Sequence, residues 1–120
     1  MAAKRRWTIR LGASAEADFQ NILRWTASQF GPRQAHVYAQ TLTAAITALG
    51  DGPTVIGAKA RDDIAKGLYT LHVVRNGRKG RHFVMFRVAQ SNDADVIDVL
   101  RVLHDAMNLP RHVPPLAERE

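Results

Sequence analysis

The chain passes from extended to helical to extended periodicity in a clear order. Residues 7–11 set Trp7, Ile9 and Leu11 against Thr8 and Arg10, an alternation that predicts a first strand. Gly12 and Ala13 break it, and Ser14 is placed to cap a helix whose first turns carry Glu16 and Asp18 near the positive dipole end. In that helix Ala15, Phe19, Ile22, Leu23, Thr26 and Phe30 share one face, and Trp25 sits at the margin of the stripe. Glu16, Gln20, Asn21, Arg24 and Ser28 occupy the other side. Gly31 and Pro32 end one helix and start the next, because proline is well tolerated at the first helical position. Ala35, Tyr38, Leu42, Ala45, Ile46 and Leu49 form the second stripe, closed by Gly50, Asp51, Gly52 and Pro53. So short a connection makes the pair an antiparallel helical hairpin.

Residues 54–67 read as an irregular link with one helical turn around 61–64. Strand-like runs follow over 68–75, 81–89 and 95–104, the first two flanking the turn-forming residues Asn76, Gly77, Arg78, Lys79 and Gly80. They predict an antiparallel meander, joined by the first strand. Both parities of these runs are apolar. Ile97, Val99 and Leu103 alternate with Val96, Leu100 and Val102, while Phe83 and Met85 alternate with Val84, Phe86 and Val88. A sheet covered on one side only would be polar on the other. The helices cover one face, and the tail 105–120 offers only Met107, Leu109, Val113 and Leu116 among three prolines. The expectation is a groove on leftover sheet surface, part apolar and part basic, that a second chain fills.

Length and charge narrow the picture. At 120 residues the chain suits a single domain, with a core over 7–109 and a tail over 110–120. No cysteine is present, which removes disulfides and thiolate chemistry and suits a cytoplasmic setting. No apolar run approaches the ~20 residues of a membrane span. Seventeen Lys+Arg against eleven Asp+Glu give a net charge of +6, favouring an anionic partner. The surplus is concentrated: Lys66, Arg75, Arg78, Lys79, Arg81 and Arg87 fall in a stretch without carboxylates between Asp63 and Asp93.

Candidate chemistry is sparse. His36, His72, His82, His104 and His112 lack metal-ligand spacing, so no metal or cofactor is expected. Metal-free phosphodiester cleavage could draw on His104 as acid and on Arg81, Arg87 and Arg101 for the developing charge. A base is harder to find: no glutamate lies between Glu16 and Glu118, and Asp98 is about 20 Å along the strand from His104. Arg87 and Arg101 have a structural alternative in pairing with Asp93, Asp95 or Asp98.

The order of these segments resembles the ParE branch of the RelE/ParE toxin superfamily. The resemblance is carried by residues 14–19 with Ile22, by residues 30–35 with Tyr38, by the link at 53–57, and by the strands at 84–88 and 99–104. It implies an α+β domain, a helical hairpin packed on a curved antiparallel sheet. It also implies a bacterial cytoplasmic toxin that inhibits DNA gyrase and is neutralised by a ParD-like antitoxin, meeting DNA only through that antitoxin. The side chains expected to meet a partner are Trp25, Arg75, Arg78, Arg81, Phe86, Arg87, Arg101 and His104. RelE-type relatives instead cut mRNA on the ribosome; here Phe86 stands where nuclease relatives can carry tyrosine.

Overall fold

The computed structural model describes residues 6–74, 77–91 and 94–106. Strand β1 (Thr8–Leu11) leads into helices α1 (Ala13–Phe30) and α2 (Pro32–Ala48). Strands β2 (Ala58–Ala60), β3 (Leu68–His72), β4 (His82–Ser91) and β5 (Ala94–His104) follow. The sheet order is β1-β5-β4-β3-β2, antiparallel throughout except that β1 runs parallel to β5. The helical hairpin carries the chain across the sheet face and so permits that parallel pairing.

Gly31 turns the chain between the helices. Its φ of 93° is one that side-chain-bearing residues avoid, and its N–H still closes α1 by bonding the Ala27 carbonyl at 2.9 Å. Ser14 lies inside α1, not at its cap: the N-cap is Gly12, without a side-chain cap bond. The two stripes pack as the spacing predicts. Ala15, Leu42, Ala45 and Leu49 are fully buried against Leu71, Val73, Val84, Phe86, Ile97 and Val99, with Phe19, Ile22, Leu23, Tyr38 and Ile46 at the margin. Phe30 departs from its stripe, being 64% exposed.

Three expectations need correction. A bulge alters the parity of β5: Phe86 pairs with Val99 and Met85 with Arg101, so Leu100 has no opposite residue. Val102 therefore joins Ile97 and Val99 beneath the helices, while Leu103 turns with Leu100 to the second face. That second face is not left open at its centre. Leu68, Met85, Leu100 and Leu103 are buried, with Ile64, Ala65 and Phe83 packed against them. The link achieves this by folding under the sheet, where Ile64 and Ala65 N–H both bond the Arg61 carbonyl in a tight turn. The link also contributes the edge strand β2, too short at three residues to announce itself by alternation.

Beyond that cluster the second face is ionic. Asp98 bridges two arginines, accepting from Arg10 Nε at 2.8 Å and lying 3.1 Å from an Arg87 terminal nitrogen, across β1, β5 and β4. Arg87 thus takes one of the carboxylates foreseen for it. Arg101 meets Asp18 of α1, a carboxylate outside the set foreseen for it.

Candidate functional site: a groove between the helical hairpin and a basic loop

Open apolar surface lies on the helical side. α1, α2, the loop 77–80 and the end of β5 wall a groove of about 1010 Å³. Its apolar surface comes from Ile22, Trp25, Phe30 and Val37, and its basic rim from Arg78, Lys79 and Arg81. Trp25 and Phe30 stand edge to face at 5.9 Å, and Trp25 is 59% exposed. Trp25 lies one helical turn from Asn21 and within the last two turns before the α1–α2 corner, so the hairpin itself fixes where this pair projects.

The groove is braced by Asp18. Its carboxylate accepts two bonds from Arg101, from Nε at 2.7 Å and from a terminal nitrogen at 2.9 Å, and a third from Val102 N–H at 3.0 Å. This ties α1 to β5 just past the bulge, and the carboxylate raises the Arg101 pKa.

The far wall carries two imidazoles, His82 and His104, and His72 lies outside the lining. The Tyr38 hydroxyl accepts Arg81 N–H at 3.2 Å and shares a hydrogen bond with His82 Nδ1, 2.6 Å away. His72 Nδ1 accepts Val74 N–H at 3.0 Å, so its Nε2–H faces Asp105 Oδ2 at 3.0 Å. His104 Nδ1 accepts Ala106 N–H at 3.1 Å, and its ring stands edge to face on His82. Burial first, then the neighbouring His104 and His72, push His82 down to about 4 against the pull of Asp105 and Asp18. His82 is therefore neutral at pH 7. His72 first, then Arg81, lowers the Asp105 pKa. Burial raises the Tyr38 hydroxyl.

Of the residues expected at a partner site, Trp25, Arg78, Arg81, Arg101 and His104 line this one groove. Arg75 lies outside the described residues. Phe86 and Arg87 are elsewhere. Phe86 is fully buried beneath the helices, stacked on Tyr69 at 5.3 Å, because its parity points it into the main core. Arg87 points to the opposite face, beside Leu68 and against Asp98. Asp18, Phe30, Val37, Tyr38 and His82 also line the groove without having stood out in sequence. Phe30 and Tyr38 belong to the helical stripes by spacing, and only the gap between hairpin and loop turns them into lining. Among the described residues no cluster of His, Asp or Glu could hold a metal ion, and no helix is long and apolar enough to cross a membrane.

A helical hairpin over a mostly antiparallel sheet, with an open groove at one end, defines the class: a small α+β domain with the fold of toxin–antitoxin toxins. The solved chromosomal ParDE system of P. aeruginosa matches with a TM-score of 0.68 at 19% identity, over 83% of this chain and 97% of that one. The toxin–antitoxin complex RelBE2 of Mycobacterium tuberculosis matches with a TM-score of 0.52 at 19% identity, over 82% and 98%. The family model described as ParE toxin of type II toxin–antitoxin system, parDE, matches residues 9–109. Toxin ParE1 of Caulobacter vibrioides is 30% identical over 104 residues, covering 87% of this chain and 95% of the relative. The chain belongs to the ParE toxin family of type II toxin–antitoxin systems.

Proposed function

We propose that the chain inhibits DNA gyrase in the bacterial cytoplasm and is neutralised by a ParD-like antitoxin, a segment of which occupies the groove. The observation carrying this reading is the groove itself, with its exposed Trp25, Phe30 and Val37 beneath the rim of Arg78, Lys79 and Arg81. Exposed aromatics beside cations favour an amphipathic acidic segment over a small ligand. Contact with DNA then comes through the antitoxin.

The alternative, a ribosome-dependent mRNA endoribonuclease, needs Arg81, Arg87, Arg101 and His104 to converge. Arg87 lies on the other face beside Asp98, and Arg101 is bound by Asp18, which supports the non-enzymatic reading. The test is a gyrase supercoiling assay run beside mapping of mRNA ends in a translating extract. Inhibition of supercoiling that survives His104→Ala, and is relieved by the product of an adjacent acidic reading frame, supports the proposal. Codon-phased cuts abolished by His104→Ala would overturn it.

A further inference from the structure

Tyr38 joins three pieces of the groove wall. Its hydroxyl holds Arg81 N–H and His82 Nδ1. A Cβ placed on Gly80 would fall 2.7 Å from that hydroxyl and 2.8 Å from Cε1, so the loop backbone lies directly on the ring. One turn further along α2, Thr41 Oγ1 receives Arg78 at 3.4 Å. Among the described residues, Val73 N–H to the His82 carbonyl is the backbone bond that leads into the loop. Beyond it the basic loop is held to α2 by these side-chain contacts.

We propose that Tyr38 is a positioning residue: its hydroxyl fixes Arg78 and Lys79 along the rim, and so makes the groove select an amphipathic helix carrying carboxylates beside its apolar anchors. The proposal rests on the docking reading above. The occupant follows from complementarity, an apolar stripe for Ile22, Trp25, Phe30 and Val37 and acids for the rim. A cation already held in place loses little freedom on meeting a carboxylate, whereas one on a loose loop must be ordered first. Without the hydroxyl, the attraction between helix and rim is spread over more distance and more salt.

The test uses two tryptophan-free amphipathic peptides of about 15 residues, roughly 22 Å of helix. One carries glutamates beside a leucine stripe, and its twin carries glutamines. Binding is followed by tryptophan fluorescence. The wild type should favour the acidic peptide by about tenfold at low salt, the sum of a few exposed pairs. In Tyr38→Phe the preference should drop to about twofold while affinity for the neutral twin holds. Exchange of Arg81 N–H should quicken by roughly fivefold to tenfold, one net hydrogen bond. Gly80→Ala, which pushes the loop off the ring with the hydroxyl intact, should lose the preference in the same way. A purely structural role for Tyr38 would weaken both peptides in step, and that result, an unchanged preference or an unchanged Arg81 exchange rate overturns the assignment. If neither peptide binds the wild type, the docking reading itself fails, a separate outcome that removes the proposal with it.

Discussion

Replacing Asp18 should cost stability out of proportion to its place on a helix surface. Its carboxylate is 14% exposed, and the Arg101 side chain it holds is 23% exposed, so solvent screens the pair only partly. Three hydrogen bonds end on it, two from the Arg101 guanidinium and one from the backbone of β5. A charged hydrogen bond contributes about 1.5–3 kcal/mol, and removing one partner of a well-shielded pair costs about 3–5 kcal/mol. Partial exposure and the bonds' shared geometry bring the expected loss for Asp18→Ala to about 2 kcal/mol, or about 8 °C in Tm for a domain of this size. Urea unfolding of Asp18→Ala, Arg101→Met and the double variant measures this directly. The double variant should lose at least about 1 kcal/mol less than the sum of the single losses, because neither charge is then left without its partner. Additive losses, or an Asp18→Ala loss below about 0.5 kcal/mol, would refute the assignment of Asp18 as the brace between α1 and β5.

Other expectations separate core from groove. Phe86→Ala should cost about 3–5 kcal/mol in denaturant unfolding, since the ring is fully buried and stacked on Tyr69; a surface-sized loss would contradict that placement. Trp25→Ala should alter stability by less than about 1 kcal/mol yet weaken partner binding by about 2 kcal/mol or more, as expected of an exposed aromatic anchor in titration calorimetry. His82 favours its neutral form when folded, so its contribution is complete above about pH 6.5 and is lost as pH falls toward its value of about 4. The ceiling is about 3 kcal/mol, reduced to about 1–2 by the ring's partial exposure. Stability curves for wild type and His82→Phe should diverge in that window, the wild type falling more steeply, and parallel curves would count against the buried neutral ring.

The helical hairpin was legible because its evidence is local. A 3.6-residue stripe and the Gly31–Pro32 break are both contained in a few turns, and the observed ends Phe30 and Pro32 fall on that break. The bulge at Leu100 was not, because it exists only in the pairing of β5 with β4. Strict alternation groups Leu103 with Ile97 and Val99 and sets Val102 opposite them, whereas Val102 clusters with Ile97 and Val99 and Leu103 with Leu100. The same limit applies to the groove. Alternation revealed that apolar side chains exceed what one sheet face needs, but not that Ile64 and Ala65 fold under the second face. The exposed apolar side chains that line a groove are instead Trp25, Phe30 and Val37, where a residue's helical position says nothing about what stands across the gap. Charge and chemistry single out Arg78, Arg81 and His104, and topology brings them to one groove; Arg87, notable on the same grounds, is carried away by strand alternation.

Hydroxyl-radical footprinting of the toxin, alone and in complex with the protein it is purified with from its host, tests the docking account most directly. Trp25 and Phe30 should become protected in the complex, while Ile56, 89% exposed and not lining the groove, stays reactive. Protection of Ile56 with Trp25 and Phe30 left fully reactive would contradict it.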